Sequence, residues 1–254
     1  MHAKKTVIKK VLSVFLILTV LATTVSILTP SNKTSSSTKR PMTNGIDFSK
    51  LTMACLGDSL TMQNVDEEGT EPYPTILKKR LGLSQVYNYG MGWSTVGYME
   101  NCSCHTDTDY NHNPFVYRYD TMVEADIIAV QGGINDKGVD LPIGDIEDTE
   151  ATTFYGALNI LASGLKEKYP NSYIFFMTGF NYYTTSTADW EEYTAYNNAI
   201  EEVCEKHGID CLDIYNAIAF NRSEYTTDNI HPTNYFVENI WVPVIASFVR
   251  NNYK

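Results

Sequence analysis

The sequence predicts an α/β fold: a parallel sheet with helices on both of its faces. Three observations lead there. From about residue 46 onward, short apolar runs that read as strands alternate with segments of helical periodicity, the pattern of strand, crossover helix and parallel strand. The chain has 254 residues, of which 43% are hydrophobic, enough for one sizeable core and a tail. No internal repeat and no second set of elements calls for another domain.

Taken in order, the chain opens with Met1-His2-Ala3-Lys4-Lys5, adds Lys9 and Lys10, and runs apolar from Val11 to Leu28. A positive start before an apolar helix is the export pattern. The run is longer than a usual signal core and approaches the length that spans a bilayer, so a cleaved signal and an uncleaved signal-anchor over residues 1–28 both fit. The lysines place the N-terminus inside and the body outside. Residues 29–45, with Pro30-Ser31-Asn32-Lys33-Thr34-Ser35-Ser36-Ser37-Thr38-Lys39-Arg40, have almost nothing to bury and read as a disordered tether. The folded domain is expected over 46–254. Its strands are expected at Leu51–Leu56, Gln85–Tyr89, Asp126–Gln131, Ser172–Thr178 and Asp210–Ile214. The helices are expected at Tyr73–Leu81, Thr149–Tyr169, Ala188–His207 and Asn234–Asn251. Pro170-Asn171 and His207-Gly208 supply stop signals for the second and third helices. The irregular stretches 101–115, 137–148 and 181–187 fall on the rim where open α/β sheets bind ligands.

The formal charge of -11 understates how acidic this domain is. Seven of the 19 basic residues lie in the first forty positions, which hold no Asp or Glu, leaving 12 basic against 30 acidic residues and a formal -18. Such a body repels phosphate backbones and anionic membrane surfaces. A nucleic-acid partner is therefore not expected.

Five cysteines, Cys55, Cys102, Cys104, Cys204 and Cys211, are an odd number, so at least one thiol stays free in any compartment. Cys55 reads as a small core residue of the first strand. The run Cys102-Ser103-Cys104-His105 lacks zinc-knuckle spacing and a second pair, so it reads as a loop, with any disulfide among Cys102, Cys104, Cys204 and Cys211 left open.

Four segments carry chemistry. The first, Cys55-Leu56-Gly57-Asp58-Ser59-Leu60, places a serine at the carboxyl end of a strand and beside a helix N-terminus, where its hydroxyl clears the sheet. The second, Asn88-Tyr89-Gly90-Met91-Gly92, ends another strand with a glycine whose bare N–H can approach a substrate. The third, Gln131-Gly132-Gly133-Ile134-Asn135-Asp136, ends a buried strand in an amide that can donate to an oxyanion, though it is more polar and glycine-rich than a strand end needs. The fourth, Asp228-Asn229-Ile230-His231-Pro232, spaces a carboxylate three residues before an imidazole, close enough on a turn to orient the ring. Each alone suits an ordinary turn or cap. Together, in this order and at these strand ends, they resemble the SGNH hydrolase superfamily, the GDSL-type lipases and esterases, over about Leu51–Lys254.

The resemblance implies a three-layer α/β/α sandwich with a five-stranded parallel sheet of flavodoxin-like form, and ester hydrolysis through an acyl-enzyme without metal or cofactor. It implies Ser59 as nucleophile, His231 as base and Asp228 as its orienting carboxylate. The N–H groups of Ser59 and Gly90 and the Asn135 amide would form the oxyanion hole. Asp58, Asp136 and Gly92 are assigned to turn geometry.

Two rival readings compete with this one. A metallophosphoesterase would want an Asp-x-His after the first strand, which this sequence does not have, and there are five histidines in all, of which His2 lies in the export segment. A surface glycan-binding protein would use loop aromatics such as Trp93, Tyr182, Tyr183 and Trp190, but has no need of a nucleophile, base and oxyanion set. An exported, tethered, acidic esterase suits small acyl esters of carbohydrate or envelope glycans. A lipase, lysophospholipase or thioester acylhydrolase of the same fold is the alternative.

Overall fold

The computed structural model describes residues 45–62, 71–100, 114–182, 187–226 and 228–254. The export segment and tether expected over 1–45 lie almost wholly outside these residues, as do Cys102, Cys104, Tyr183 and the side chain of Trp190. Among the described residues, no helix is long and apolar enough to cross a membrane.

Five strands, β1 (Thr52–Gly57), β2 (Gln85–Gly90), β3 (Ile127–Gln131), β4 (Tyr173–Met177) and β5 (Asp210–Leu212), form one sheet in the order β2-β1-β3-β4-β5. Every neighbouring pair is parallel, with Cys55 opposite Asn88 on one side and Ala129 on the other. Strand order reverses between β1 and β3, and a crevice opens at the carboxyl ends of strands at such a switch point. The β1–β3 register is pinned below the site by Asp126, whose Oδ2 accepts the Thr52 N–H at 2.7 Å and its hydroxyl at 2.8 Å.

Alternation along the strands sends side chains to two cores. Met53, Cys55, Ile127, Ala129, Phe175 and Met177 pack with α2 (Tyr73–Leu81) and α9 (Val242–Asn252) on one face. Ala54, Leu56, Ile128, Val130, Ile174 and Phe176 pack with α4 (Phe154–Lys168) and α5 (Thr187–His207) on the other. The result is the three-layer sandwich that the sequence predicts. Burying one Leu, Ile or Phe of these cores contributes about 1.5–3 kcal/mol, so the sheet is a rigid base for the short elements on its rim: α1 (Ser59–Met62), α3 (Ile134–Gly138), α6 (Ile214–Ala217), α7 (Arg222–Tyr225) and α8 (Asn234–Phe236).

Element ends differ from expectation where a side chain decides them. The helix expected from Thr149 starts at Phe154, because Thr153 caps it by accepting the Gly156 N–H at 3.2 Å while its hydroxyl bonds Asp148. Strand β5 stops at Leu212 rather than Ile214, since Asp213 caps α6 by accepting the Asn216 N–H at 3.0 Å. The closing helix expected over Asn234–Asn251 is interrupted by a π turn at Val237–Trp241 before α9 begins. Pro243 has no N–H to return to the carbonyl of Asn239, and the wider turn absorbs the mismatch.

Candidate active site

The site is assembled where β1 and β3 end. Beyond Gly57 the chain turns through Asp58, whose Oδ1 accepts the N–H of Leu60 at 2.8 Å and whose carbonyl accepts those of Thr61 and Met62. Asp58 thus caps α1, and Ser59 opens it. As the first residue of that turn, Ser59 has an N–H with no intrahelical acceptor, free to point at whatever its Oγ attacks.

The imidazole arrives from the far end of the sequence. His231 Nε2 lies 2.9 Å from Ser59 Oγ, and its Nδ1 lies 2.6 Å from Asp228 Oδ2. The other Asp228 oxygen accepts the N–H groups of Ile230 and His231 at 2.9 and 2.7 Å. This turn requires Asn229 at a φ of 71°, left-handed backbone that asparagine tolerates better than most residues. The loop is anchored outside itself as well. Arg222 Nε donates to the Asn229 carbonyl at 2.6 Å, and the Tyr182 hydroxyl donates to that of Ile230 at 2.9 Å. Burial works to raise the Asp228 carboxyl, yet the His231 N–H, its ring and the Ile230 N–H together hold it below its ordinary value. Asp228 is therefore ionised at neutral pH and fixes the Nδ1–H tautomer, leaving Nε2 to accept a proton.

Asn135 lies in α3, directly after β3. Its Nδ2 donates one hydrogen to the carbonyl of Ser94 at 2.9 Å, which orients the amide and leaves a second N–H for a ligand. The polar strand end before it now has a reason. Gln131 is buried and its Oε1 meets the Thr61 hydroxyl at 3.4 Å. At Gly132 any Cβ would sit 2.6 Å from the Phe115 ring, and Gly133 takes a φ of 109° to turn the chain into α3.

Three residues meet partners that their local sequence does not announce. The Gly90 N–H, assigned to the oxyanion hole, donates at 2.8 Å to Oδ1 of Asn88 two residues earlier. A Cβ on Gly90 would fall 2.1 Å from the backbone nitrogen of Met62, so glycine is needed there for the close approach of α1 to β2. Asp136, read as part of its own turn, instead accepts the N–H groups of Val96 and Gly97 at 3.0 Å from 40 and 39 residues away, and so ties α3 to the loop that carries Ser94. Tyr182, weighed as an exposed sugar-stacking residue, is 3% exposed and packs against Phe180 and Phe220. Trp93 is 62% exposed and held at a φ of 62°, strain that is rare for a bulky side chain and concentrates at functional sites.

Asp58 and Asp136 are both fully buried, and burial pushes them up to about 7 and about 6, against the backbone N–H groups they accept. An acid raised in the folded state binds protons there that the unfolded chain, with a value of about 3.9, has released. Its contribution to stability is present below about pH 4 and lost as pH rises through the folded value. The expected result is a thermal midpoint that falls between pH 4 and 7, with a flatter fall in Asp58→Asn, which keeps the acceptor for Leu60. Calorimetry across that range checks it, and identical slopes for the two proteins would contradict it.

Among the described residues, no group of three His, Cys, Asp or Glu side chains could hold a metal ion. Cys55, Cys204 and Cys211 are free thiols. The GDSL-like lipase/acylhydrolase family matches residues 55–235, from the strand before Ser59 to just beyond His231. Among solved structures, a protein from Lactobacillus plantarum is 27% identical, with a TM-score of 0.65 over 82% of this chain and 100% of its own. A candidate GDSL-like lipase from Bacteroides ovatus superposes with a TM-score of 0.59 at 20% identity, over 80% of this chain and 100% of its own. An alpha/beta hydrolase from the metagenome of Lake Arreo gives 0.55 at 18%, over 79% and 94%. The last two likenesses show the fold. No curated protein matches the chain in sequence at a significant level.

Proposed function

The chain belongs to the GDSL-like lipase/acylhydrolase family, and from that premise we propose that it is an extracytoplasmic serine hydrolase that cleaves small acyl esters of glycans through an acyl-enzyme. Hydrolysis of esters is what the family implies. One observation carries the assignment of roles: the continuous chain from Asp228 Oδ2 through the His231 ring to Ser59 Oγ, with contacts of 2.6 and 2.9 Å. A nucleophile bonded to a base that a third group orients is the arrangement acyl transfer requires.

In this reading His231 Nε2 takes the Ser59 proton as Oγ bonds to the acyl carbon. The carbonyl oxygen gains negative charge and is met by the Ser59 N–H and the second Asn135 Nδ2 hydrogen. The tetrahedral species collapses, the carbon–oxygen bond to the alcohol breaks, and protonated His231 gives the alcohol its proton. Water then attacks the acyl-enzyme with His231 again as base, and the acid leaves as Ser59 recovers its proton.

Location rests on the lysine-rich, apolar first 28 residues. The glycan preference rests on the acidic body and on Trp93, an exposed flat apolar face on the loop that also carries Ser94. A lipase or thioester acylhydrolase is the second reading, favoured by the exposed Met62 in the same helical turn as Ser59. A series of p-nitrophenyl esters from acetate to palmitate separates the two. The expected result is kcat/KM highest for acetate and falling with chain length. A maximum at eight or more carbons would overturn the small-acyl assignment.

A further inference from the structure

Arg118 is a guanidinium buried under the catalytic rim, 9% exposed. It follows the short helical turn Phe115–Tyr117, and its side chain runs inward across the Phe115 ring, with the guanidinium carbon 4.8 Å from the ring centre. One terminal nitrogen donates to the carbonyl of Tyr89, at the end of β2. The other donates to the carbonyl of Gly57 at 2.6 Å, two residues before Ser59, and to the Ser94 hydroxyl at 3.3 Å. Ser94 is the residue whose carbonyl orients the Asn135 amide.

A single planar group therefore joins the segment that ends in the nucleophile, the end of the neighbouring strand, and the loop that aims the oxyanion donor. Burying a cation is costly unless its hydrogens find acceptors. Here the cost shows as a guanidinium lowered to about 10 by burial, against the attraction of Asp58. Lysine could not reproduce the arrangement, since an ammonium has no fixed fork to span two carbonyls and a hydroxyl.

We propose that Arg118 is a positioning residue for this chemistry: acting through Gly57, Tyr89 and Ser94, it sets the separation of Ser59 Oγ and the Asn135 amide while touching no reacting atom. The inference rests on the ester-hydrolase reading above. Misplacement of reacting groups by about 1 Å costs about a hundredfold in rate, which sets the scale of the expected loss.

The test compares wild type, Arg118→Lys, Arg118→Met, Asn135→Ala and the double variant Arg118→Met/Asn135→Ala on p-nitrophenyl acetate, with circular dichroism and thermal melts for each. In Arg118→Met kcat is expected to fall tenfold to a hundredfold, about the scale of a lost alignment, while KM shifts less than about threefold. Arg118→Lys recovers only part of that loss. In the Asn135→Ala background the Arg118→Met change costs less than about threefold, because the group it aims is already gone. Arg118→Lys with a wild-type kcat would overturn the inference, even if Arg118→Met fails to fold. So would single losses that multiply in the double variant. A folded wild type without Ser59-dependent hydrolysis would overturn the ester-hydrolase reading and this inference with it, whereas an active wild type with an unaffected Arg118→Lys overturns this inference alone.

Discussion

Replacing Ser59 with alanine lowers kcat for p-nitrophenyl acetate by about a millionfold, the scale seen when a serine nucleophile is removed. The structure predicts that this variant folds. The Ser59 hydroxyl bonds to His231 Nε2, whereas the turn beneath it is held by Asp58, through its carboxylate to Leu60 and its carbonyl to Thr61 and Met62. Loss of activity with an unchanged thermal midpoint is the expected pair of results. A folded Ser59→Ala retaining a tenth of the wild-type rate would remove the nucleophile assignment.

The second large effect is expected from Asp228→Asn, a fall in kcat of about ten thousandfold. The substitution keeps the shape of the loop, because the amide oxygen can still accept the N–H groups of Ile230 and His231 that Asp228 Oδ1 accepts now. What changes is the face turned toward the ring. An amide NH2 in place of Oδ2 makes Nδ1 an acceptor, which moves the ring proton to Nε2, where it meets Ser59 Oγ and leaves no lone pair to take the serine's proton. The imidazole is then in place and in the wrong tautomer. Steady-state kinetics with a melt of the same sample checks this, and a loss smaller than about tenfold would show that Asp228 does not set the tautomer.

Much of this arrangement was legible in the sequence, for physical reasons that differ from residue to residue. Strands β1 and β3 read directly because both of their faces are buried, which makes them nearly continuous apolar runs. Ser59, Asn135 and the Asp228–His231 pair read because each follows a strand end or turn whose local chemistry is short-range. What the sequence does not announce is contact between residues remote in it. Nothing near Asp136 announces that it accepts N–H groups from Val96 and Gly97, and nothing near Arg118 announces that it reaches Gly57, 61 residues away. Tyr182 falls in the irregular stretch 181–187 and reads as a loop aromatic, yet Phe180 and Phe220 pack against it and its hydroxyl holds the His231 loop. Gly90 stands out in the sequence as a strand-end glycine, and the structure adds two contacts to it. Its missing Cβ serves the approach of Met62, and its N–H serves Asn88.

The central claim is that Ser59 forms a covalent acyl intermediate, and a phosphonate ester probe tests it most directly. Such a probe reacts with an activated serine and stops at a stable phosphonylated product, with the probe's leaving group released and the serine proton taken by the base. The folded wild-type protein is incubated with the probe, digested, and its peptides weighed by mass spectrometry. The account predicts one stoichiometric adduct on the peptide carrying Ser59, absent from Ser59→Ala and strongly slowed in Asp228→Asn. A folded wild-type protein that takes up no probe, or takes it up at another residue, would contradict it.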